Sequence, residues 1–506
     1  MNRLYYGDNL TIMKSMPPDS VDLIYLDPPF NSNRSYNLLY KNTTGLPIPE
    51  QIEAFCDTWE LDYEKTEQTL EIPRIMQAYG IPADTVQFWH YLVRALRTTD
   101  TKLLAYLVYM TVRLIEMYRL LKSTGSLYLH CDPTASHYLK VILDGIFRNG
   151  NFRNEVVWCY KSRPQSKRYF GKKHDIILFY SKTDEYYFDW KAVARPLSEA
   201  TEKKYRLVDM DGRRYRLEGR GIKGSPIQSA KDVDPKWAET NPELVVRDYL
   251  DEKIGVALED WWQIDVINQS AKERLGYPTQ KPLALLERIV RASSRENDVV
   301  FDPFCGCGTT VEAAIKNNRQ WIGCDIAIHS IRLIQDTRIK KYGLVEGSDY
   351  RIDGIPQSVE QARYLFEQDP FQFQHWAIER TGGFCSNKKT GDRGIDGKIY
   401  FEAGGALKGM VLSVKGGAVK PADIRDLRGV LERETDVELA GFISLQEPTR
   451  AMQQEADEAG FFAYQGEQYP RIQPLTIQDL FDGKRWHCPS IVKTQNKHQG
   501  QTFLAL

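Results

Sequence analysis

The chain has 506 residues, and 67 Lys+Arg against 68 Asp+Glu leave a formal net charge of −1. Such a length holds two to four domains at roughly 100–200 residues each, and 42% hydrophobic with 27% charged residues excludes collagenous and wholly disordered classes. The most apolar stretch, Leu103–Val112, is cut off by Arg113, far short of the ~20 residues of a membrane span. With no apolar signal-peptide core at the N-terminus, a cytoplasmic protein with no membrane partner is expected.

Arg3–Tyr6 reads as a strand ending at Gly7-Asp8, followed by a helix and then the strand Val21–Leu26, apolar on both faces. Near-continuous apolar strands alternating with helical patterns predict a mostly parallel sheet covered on both sides. Tyr40–Thr99 is more polar and reads as inserted loop and helices. Leu103–Leu121 repeats apolar residues at helical spacing, Ser126–His130 is a buried strand, and Ser136–Phe147 is a further helix. Val156–Trp158 and Ile176–Tyr180 continue the strand series.

After Trp190 the chain turns polar, irregular and rich in Arg, Lys, Gly and Tyr. The α/β pattern returns with a helix over Leu283–Ser293, the strand Asp298–Phe301, a helix Thr310–Asn317 and the strand Gln320–Cys324. A helix of alternating charge follows to about Lys341, then the linker-like Gly343–Pro356 and a separate α+β module. The expected divisions are 1–190 and 261–342 for the α/β body, 191–260 for an inserted region, 343–359 for a linker, 360–485 for the module and 486–506 for a tail. The eight cysteines include no Cys-x-x-Cys pair, so neither a disulfide framework nor a zinc site is expected.

Two constellations carry chemistry. Asp27-Pro28-Pro29-Phe30 follows a buried strand directly, where open α/β sheets place their ligand crevice. Each proline fixes φ and lacks an N–H, so the Pro28 carbonyl is a bare acceptor beside the Asp27 carboxylate. Two acceptors and a flat ring suit a planar heterocycle with an exocyclic amino group. Taken alone, the same residues also suit a strand-ending turn with a core phenylalanine. The second constellation, Val299 through Asp302-Pro303-Phe304-Cys305-Gly306-Cys307-Gly308-Thr309-Thr310, reads as strand, glycine turn and helix start. Asp325 ends the next strand, where an acid can accept ribose hydroxyls. The third glycine of the dinucleotide fingerprint is missing, so a nucleoside without a pyrophosphate fits better.

Together these residues resemble the beta-class (permuted) DNA amino-methyltransferases, in which the Asp-Pro-Pro-aromatic motif precedes the glycine motif. Gly7-Asp8, Gly125 to Asp132, Ser136 to Lys140 and Tyr277-Pro278-Thr279-Gln280-Lys281-Pro282 add to the resemblance, which covers about residues 1–340. It implies a Rossmann-like methyltransferase sheet with helices on both faces and an inserted DNA-recognition region. It also implies S-adenosylmethionine as methyl donor, with double-stranded DNA as substrate and partner.

By the same resemblance Asp27, Pro28, Pro29 and Phe30 are the catalytic residues, with Phe30 stacking on a flipped base. Asp302, Phe304, Gly306 and Gly308 shape the donor pocket, and Asp325 holds the ribose. Thr279 and Lys281 meet the methionine carboxylate, and Asp8 meets the donor's adenine. Cytosine-N4 members usually carry Ser where this chain has Asp27, so N6-adenine is expected, with N4-cytosine as the alternative. Family members are often dimers, which makes a homodimer an expectation.

Basic residues interleaved with tyrosines, Lys161, Arg163, Lys167 and Arg168 in one loop and Arg213 and Arg214 in another cluster, are expected DNA contacts through phosphates. In the C-terminal module Asp396 and Lys415, on adjacent strands, resemble a Mrr-type restriction-endonuclease-like domain. That pattern expects an acid or glutamine two residues before the lysine, where this chain has Ser413. Glu379 or Glu402 could substitute. Mg²⁺ is implied only if the module cleaves DNA, and the alternative to a pure methyltransferase is then a single-chain restriction–modification enzyme.

Overall fold

The computed structural model of the chain describes residues 2–29, 59–132, 135–161, 168, 170–171, 173–223, 225–268, 270–277, 279–385, 394–403 and 406–489, together with the backbone of two short strands at 35–38 and 52–56. The main sheet has nine strands. In chain order they are β1 (Asn2–Tyr6), β2 (Val21–Leu26), β3 (Leu121–Cys131), β4 (Phe152–Cys159), β5 (His174–Ser181), β6 (Trp261–Gln263), β7 (Val299–Asp302), β8 (Gln320–Asp325) and β9 (Tyr350–Asp353). Across the sheet the order is β6-β4-β5-β3-β2-β7-β8-β1-β9. Every pairing is parallel except those of β5 with β3 and β4.

The expected α/β sheet is therefore present, mixed rather than wholly parallel. Alternate residues of its central strands feed two different cores, as the two-residue period of a strand requires. Leu23 and Tyr25 of β2, with Ile177 and Phe179 of β5, pack on one face against the helices Leu283–Ser293 and Thr309–Lys316. Val21, Ile24 and Leu26, with Ile176 and Leu178, pack on the other face. There the helix Thr101–Leu120 is buried almost all round and is capped by Asp100, whose carboxylate accepts from Leu103 N at 2.9 Å. The helices Tyr63–Ala78 and Ala83–Thr99 lie within the stretch expected as an insertion and pack over it.

Three stretches differ from the sequence reading. The linker expected over 343–359 contributes β9, an edge strand parallel to β1 and tied to it by Arg3 and Asp353 at 3.1 Å. Region 191–260 carries a three-stranded antiparallel sheet of Leu207–Val208, Arg214–Gly219 and Val245–Tyr249. The charged helix expected to reach Lys341 breaks up: an α-helical turn Ile328–Leu333 continues as π-helix over Ile334–Ile339 and ends in a 3₁₀ turn.

Beyond β9 a five-stranded sheet takes the order Phe384–Cys385, Gly397–Ala403, Ala406–Lys415, Val437–Ser444, Ile472–Thr476. The first two pairings are antiparallel and the last two parallel. The helix Pro370–Arg380 joins this sheet to the core of the main sheet: Phe373, Trp376, Ala377 and Ile378 share one apolar cluster with Leu4, Tyr6, Ile328 and Ile331. No helix of the described residues is long and apolar enough to cross a membrane.

Candidate active site

Four adjacent strands, β2, β7, β8 and β1, deliver their carboxyl ends to one edge of the sheet. The register sets Tyr6 opposite Asp325 and Asp302 opposite Gly323. Asp27, Asp302, Asp325 and Asp8 therefore come together at the mouth of a cavity of about 400 Å³. Thr279, Lys281, Pro29, Phe304 and Gly306 complete the wall on this side. A cavity of this size, partly apolar with a few convergent polar groups, is typical of ligand sites.

Asp27 follows β2 and is held from one side only. Lys281 Nζ lies 2.5 Å from its Oδ2, and both side chains are largely shielded from solvent. Its Oδ1 is buried with no hydrogen-bond partner among the described residues. A buried acceptor without a partner is uncommon enough to need an explanation. Pro28 is buried behind the cavity wall, while Pro29 lines it. Phe30 lies outside the described residues.

The glycine turn divides its work. Gly306, at φ +49, lines the cavity, and its N–H donates to Asp325 Oδ2 at 2.9 Å. A Cβ there would stand 3.3 Å from the Tyr277 ring. Gly308, at φ +73, is not part of the wall: it caps the helix Thr309–Lys316, and a Cβ would come within 2.6 Å of Ile334. Its part in the site is to start the helix in a left-handed conformation that other residues take only with strain.

Two carboxyl groups in this buried site, Asp302 and Asp325, resist ionisation. Burial, reinforced by Asp27 and Asp325, pushes Asp302 up to about 7, although Thr310 Oγ1 donates to it at 2.6 Å and Phe304 N at 3.0 Å. Burial likewise pushes Asp325 up to about 6 against the N–H groups of Ala327 and Gly306. Such perturbed acids in a cleft are a functional-site signature. They also suit a ligand that carries positive charge.

Asp8 lines the cavity, but much of its accepting capacity is already used. Oδ1 caps the first helix by accepting from Leu10 N and Thr11 N, and Oδ2 accepts from Arg113 at 2.6 Å. Arg113 also donates to Asn9, which in turn donates to Pro303 O, so this network clamps the β1 and β7 ends together.

Sequence reasoning missed two parts of the site. Tyr25 lines the cavity and shares a 2.9 Å hydrogen bond with His130 Nδ1, while His130 Nε2 stands 3.2 Å from Asp175. The alternation of β2 and β3 carried the signal for the first pair, since both residues point to the same face. The second missed part is the helix Pro370–Arg380, from which Phe371, Gln372, His375 and Glu379 close the far end of the cavity. Its sequence carries no sign of that contact.

The expected DNA contacts separate into two groups. Lys161 and Arg168 are exposed on the loop that leaves β4, at the same sheet edge as the cavity. Arg163 and Lys167 lie outside the described residues. Arg213 is paired instead with Asp251 and Glu252, both at 2.7 Å. Arg214 donates to the backbone carbonyls of Tyr205 and Glu202. Arg213 is thus neutralised within its own region, while Arg214 keeps its charge and ties the small sheet to the preceding turn.

In the C-terminal module Asp396 Oδ2 accepts from Val414 N at 2.7 Å, on the strand that ends at Lys415. Ser413 is buried. Glu402 sits near the opposite, hairpin end of its strand, paired with Leu407, so it cannot reach Asp396 across about 20 Å of strand. Glu379 faces the cavity of the main sheet. Among the described residues no group of three ligating side chains forms a metal site.

A family model described as DNA methylase, N6_N4_Mtase, matches residues 21–336, and the chain belongs to that family. Among similar proteins, the Type II methyltransferase M.EcaI of Enterobacter cloacae is 32% identical over 260 residues, which are 46% of this chain and 56% of that protein. The Type II methyltransferase M.BglII of Bacillus subtilis is 24% identical over 333 residues, covering 64% of this chain and 66% of that one. The DNA adenine methyltransferase YhdJ of Escherichia coli (strain K12) is 26% identical over 333 residues, covering 65% and 80%. The chain thus spans between about half and two thirds of the first two relatives.

Proposed function

We propose that this protein is a site-specific, beta-class DNA methyltransferase that transfers a methyl group from S-adenosylmethionine to the N6 amino group of adenine in duplex DNA. The observation that carries the reading is the Asp27 carboxylate at the cavity wall, held at Oδ2 by Lys281, with Oδ1 buried and without a partner among the described residues. The strand order of its motifs and the adenine methyltransferase among its relatives support the finer assignment.

The residues fit the donor. Acidic side chains complement a sulfonium and an ammonium, Gly306 leaves the wall open beside Tyr277, and Asp325 stands ready for ribose hydroxyls. When bound, S-adenosylmethionine supplies an electrophilic methyl carbon whose bond to sulfur breaks as the nitrogen bonds to it. The protein's share is placement and electrostatics. The amino nitrogen is a weak nucleophile because its lone pair is delocalised into the purine. Asp27 Oδ1 accepts the N6–H, draws the lone pair out of conjugation and stands where the departing proton goes. Preorganised acceptors of this kind commonly supply the largest catalytic term, and in-line placement of the methyl carbon adds a proximity effect. The amino group lies inside the duplex, so the base must be flipped into the cavity beside Pro29 and the sequence-assigned stacking residue Phe30. Lys161 and Arg168 are placed to meet phosphates at the cavity edge, with Arg163 and Lys167 on the same loop of sequence.

The C-terminal module resembles a restriction-endonuclease-like domain around Asp396 and Lys415, and we infer that it positions DNA rather than cutting it. Transfer of labelled methyl from S-adenosylmethionine to unmethylated duplex DNA, followed by sequencing with modified-base detection, tests the proposal. Adenine modified within a short motif is expected; the absence of any transfer would contradict it.

A further inference from the structure

We propose that the C-terminal module completes the methyl-donor pocket, with Glu379 a donor-binding residue at the nucleoside end. This inference rests on the reading of the cavity as the donor site. The cavity that begins at Asp27 runs past Asp325 and Ile326 to Phe371 and Glu379, on the helix Pro370–Arg380.

That helix is fixed against the main sheet. Phe373, Trp376 and Ile378 are fully buried in the core that also holds Leu4 and Ile328. Asp369 caps the helix by accepting from Phe371 N and Gln372 N, and Gln372 Nε2 reaches Ile326 O at 3.5 Å. The wall opposite the ribose-binding acid is therefore built from a second domain.

Glu379 is the acidic group that this wall presents, beside Gln372 and His375. Its Oε2 is buried with no hydrogen-bond partner among the described residues. Burial pushes its carboxyl up to about 8, with Arg332 and a hydrogen bond from the Ile328 backbone N–H opposing and the negative field of Asp325 adding. At neutral pH it is then an uncharged acid able to donate and to accept, which matches a ribose hydroxyl or the edge of an adenine. An unpartnered buried group costs free energy that such a ligand would recover. Ile326 and Phe371, both in the same stretch of wall, offer the apolar surface that a purine requires.

The test uses the full chain and S-adenosylmethionine, with binding read by titration calorimetry. Glu379→Leu should weaken donor affinity at least tenfold, whereas Glu379→Gln, neutral and able to donate and accept, should stay within about threefold of the parent. Thermal melting without donor checks that both variants fold. Hydrogen exchange on the parent chain supplies a readout independent of any substitution: donor should slow exchange across residues 371–385 as well as 302–327. Parental affinity in Glu379→Leu, or protection confined to 302–327, would overturn the inference while leaving the donor site intact. Failure of the parent chain to bind donor at all would instead remove the donor-site reading and this inference with it.

Discussion

Lys281 Nζ lies 2.5 Å from Asp27 Oδ2, while Oδ1 of the same carboxylate is buried without a partner among the described residues. The resemblance alone would send Lys281 to the methionine carboxylate of the donor. The geometry gives it a second partner, since the contact with Lys281 fixes the rotation of the Asp27 carboxylate. A charge-assisted hydrogen bond of this length, largely shielded from solvent, is stronger than a neutral one. It fixes one oxygen and leaves the other without a partner among the described residues.

Replacing the lysine should therefore affect chemistry before donor binding. Lys281→Met is expected to lower kcat by about a hundredfold to a thousandfold, in the range found when a preorganised polar group is lost. Donor affinity should change by only a few-fold. Single-turnover methylation together with donor titration separates the two, and a large loss of donor affinity at unchanged kcat would return Lys281 to the donor carboxylate.

Gly306→Val should act on the opposite side. The backbone at φ +49 disfavours a β-branched residue, and the added side chain meets Tyr277 at the cavity wall. Donor binding is expected to disappear in calorimetry while the chain still folds. Unchanged donor affinity would count against the glycine turn as part of the donor site.

The buried acids predict two linked pH effects. Asp302 at about 7 and Asp325 at about 6 hold protons more tightly in the folded chain than in the unfolded one. Their favourable contribution to stability is thus complete below the ordinary carboxylate range and is lost as pH rises through 6 to 7. The melting temperature of the donor-free protein should fall between about pH 4 and pH 7 and level off above it, and Asp302→Asn should flatten that fall. A cationic donor favours the ionised carboxylates, so binding near pH 7 should release protons. Calorimetry in buffers of different ionisation enthalpy reads that release directly, and proton uptake would contradict the sign.

How much of this was legible in the sequence depended on the range of the interaction. The apolar run of β2, broken only by Asp22, and the turn at Asp27 are local signals, and both were readable. So was the glycine turn after β7, although which glycine lines the cavity and which caps the helix depends on Tyr277 and Ile334, far away in the chain. The Lys281–Asp27 contact joins two motifs that lie at opposite ends of the methyltransferase part, and spacing cannot reveal it. β9 was missed because an exposed edge strand such as Tyr350–Asp353 needs little apolar patterning. Arg213 displayed its charge in the sequence, but not its partners Asp251 and Glu252.

The C-terminal module should show no efficient Mg²⁺-dependent cleavage of unmethylated DNA. Ser413 replaces the expected second ligand, Glu402 lies at the far end of its strand, and Glu379 belongs to the cavity of the main sheet. Asp396 alone would hold Mg²⁺ mainly through water, and the charge stabilisation of a clamped metal would be missing. Specific double-strand breaks that vanish in Asp396→Ala and Lys415→Ala would overturn this account of the module.

The central claim is that Asp27 activates an adenine amino group. Mass spectrometry of nucleosides from DNA of cells expressing the protein, beside cells expressing Asp27→Ala, tests it most directly. N6-methyladenine should appear with the parent protein and be lost in the variant, even though the variant still binds S-adenosylmethionine. Methylcytosine as the only modified base, or N6-methyladenine at parental levels in Asp27→Ala, would contradict it.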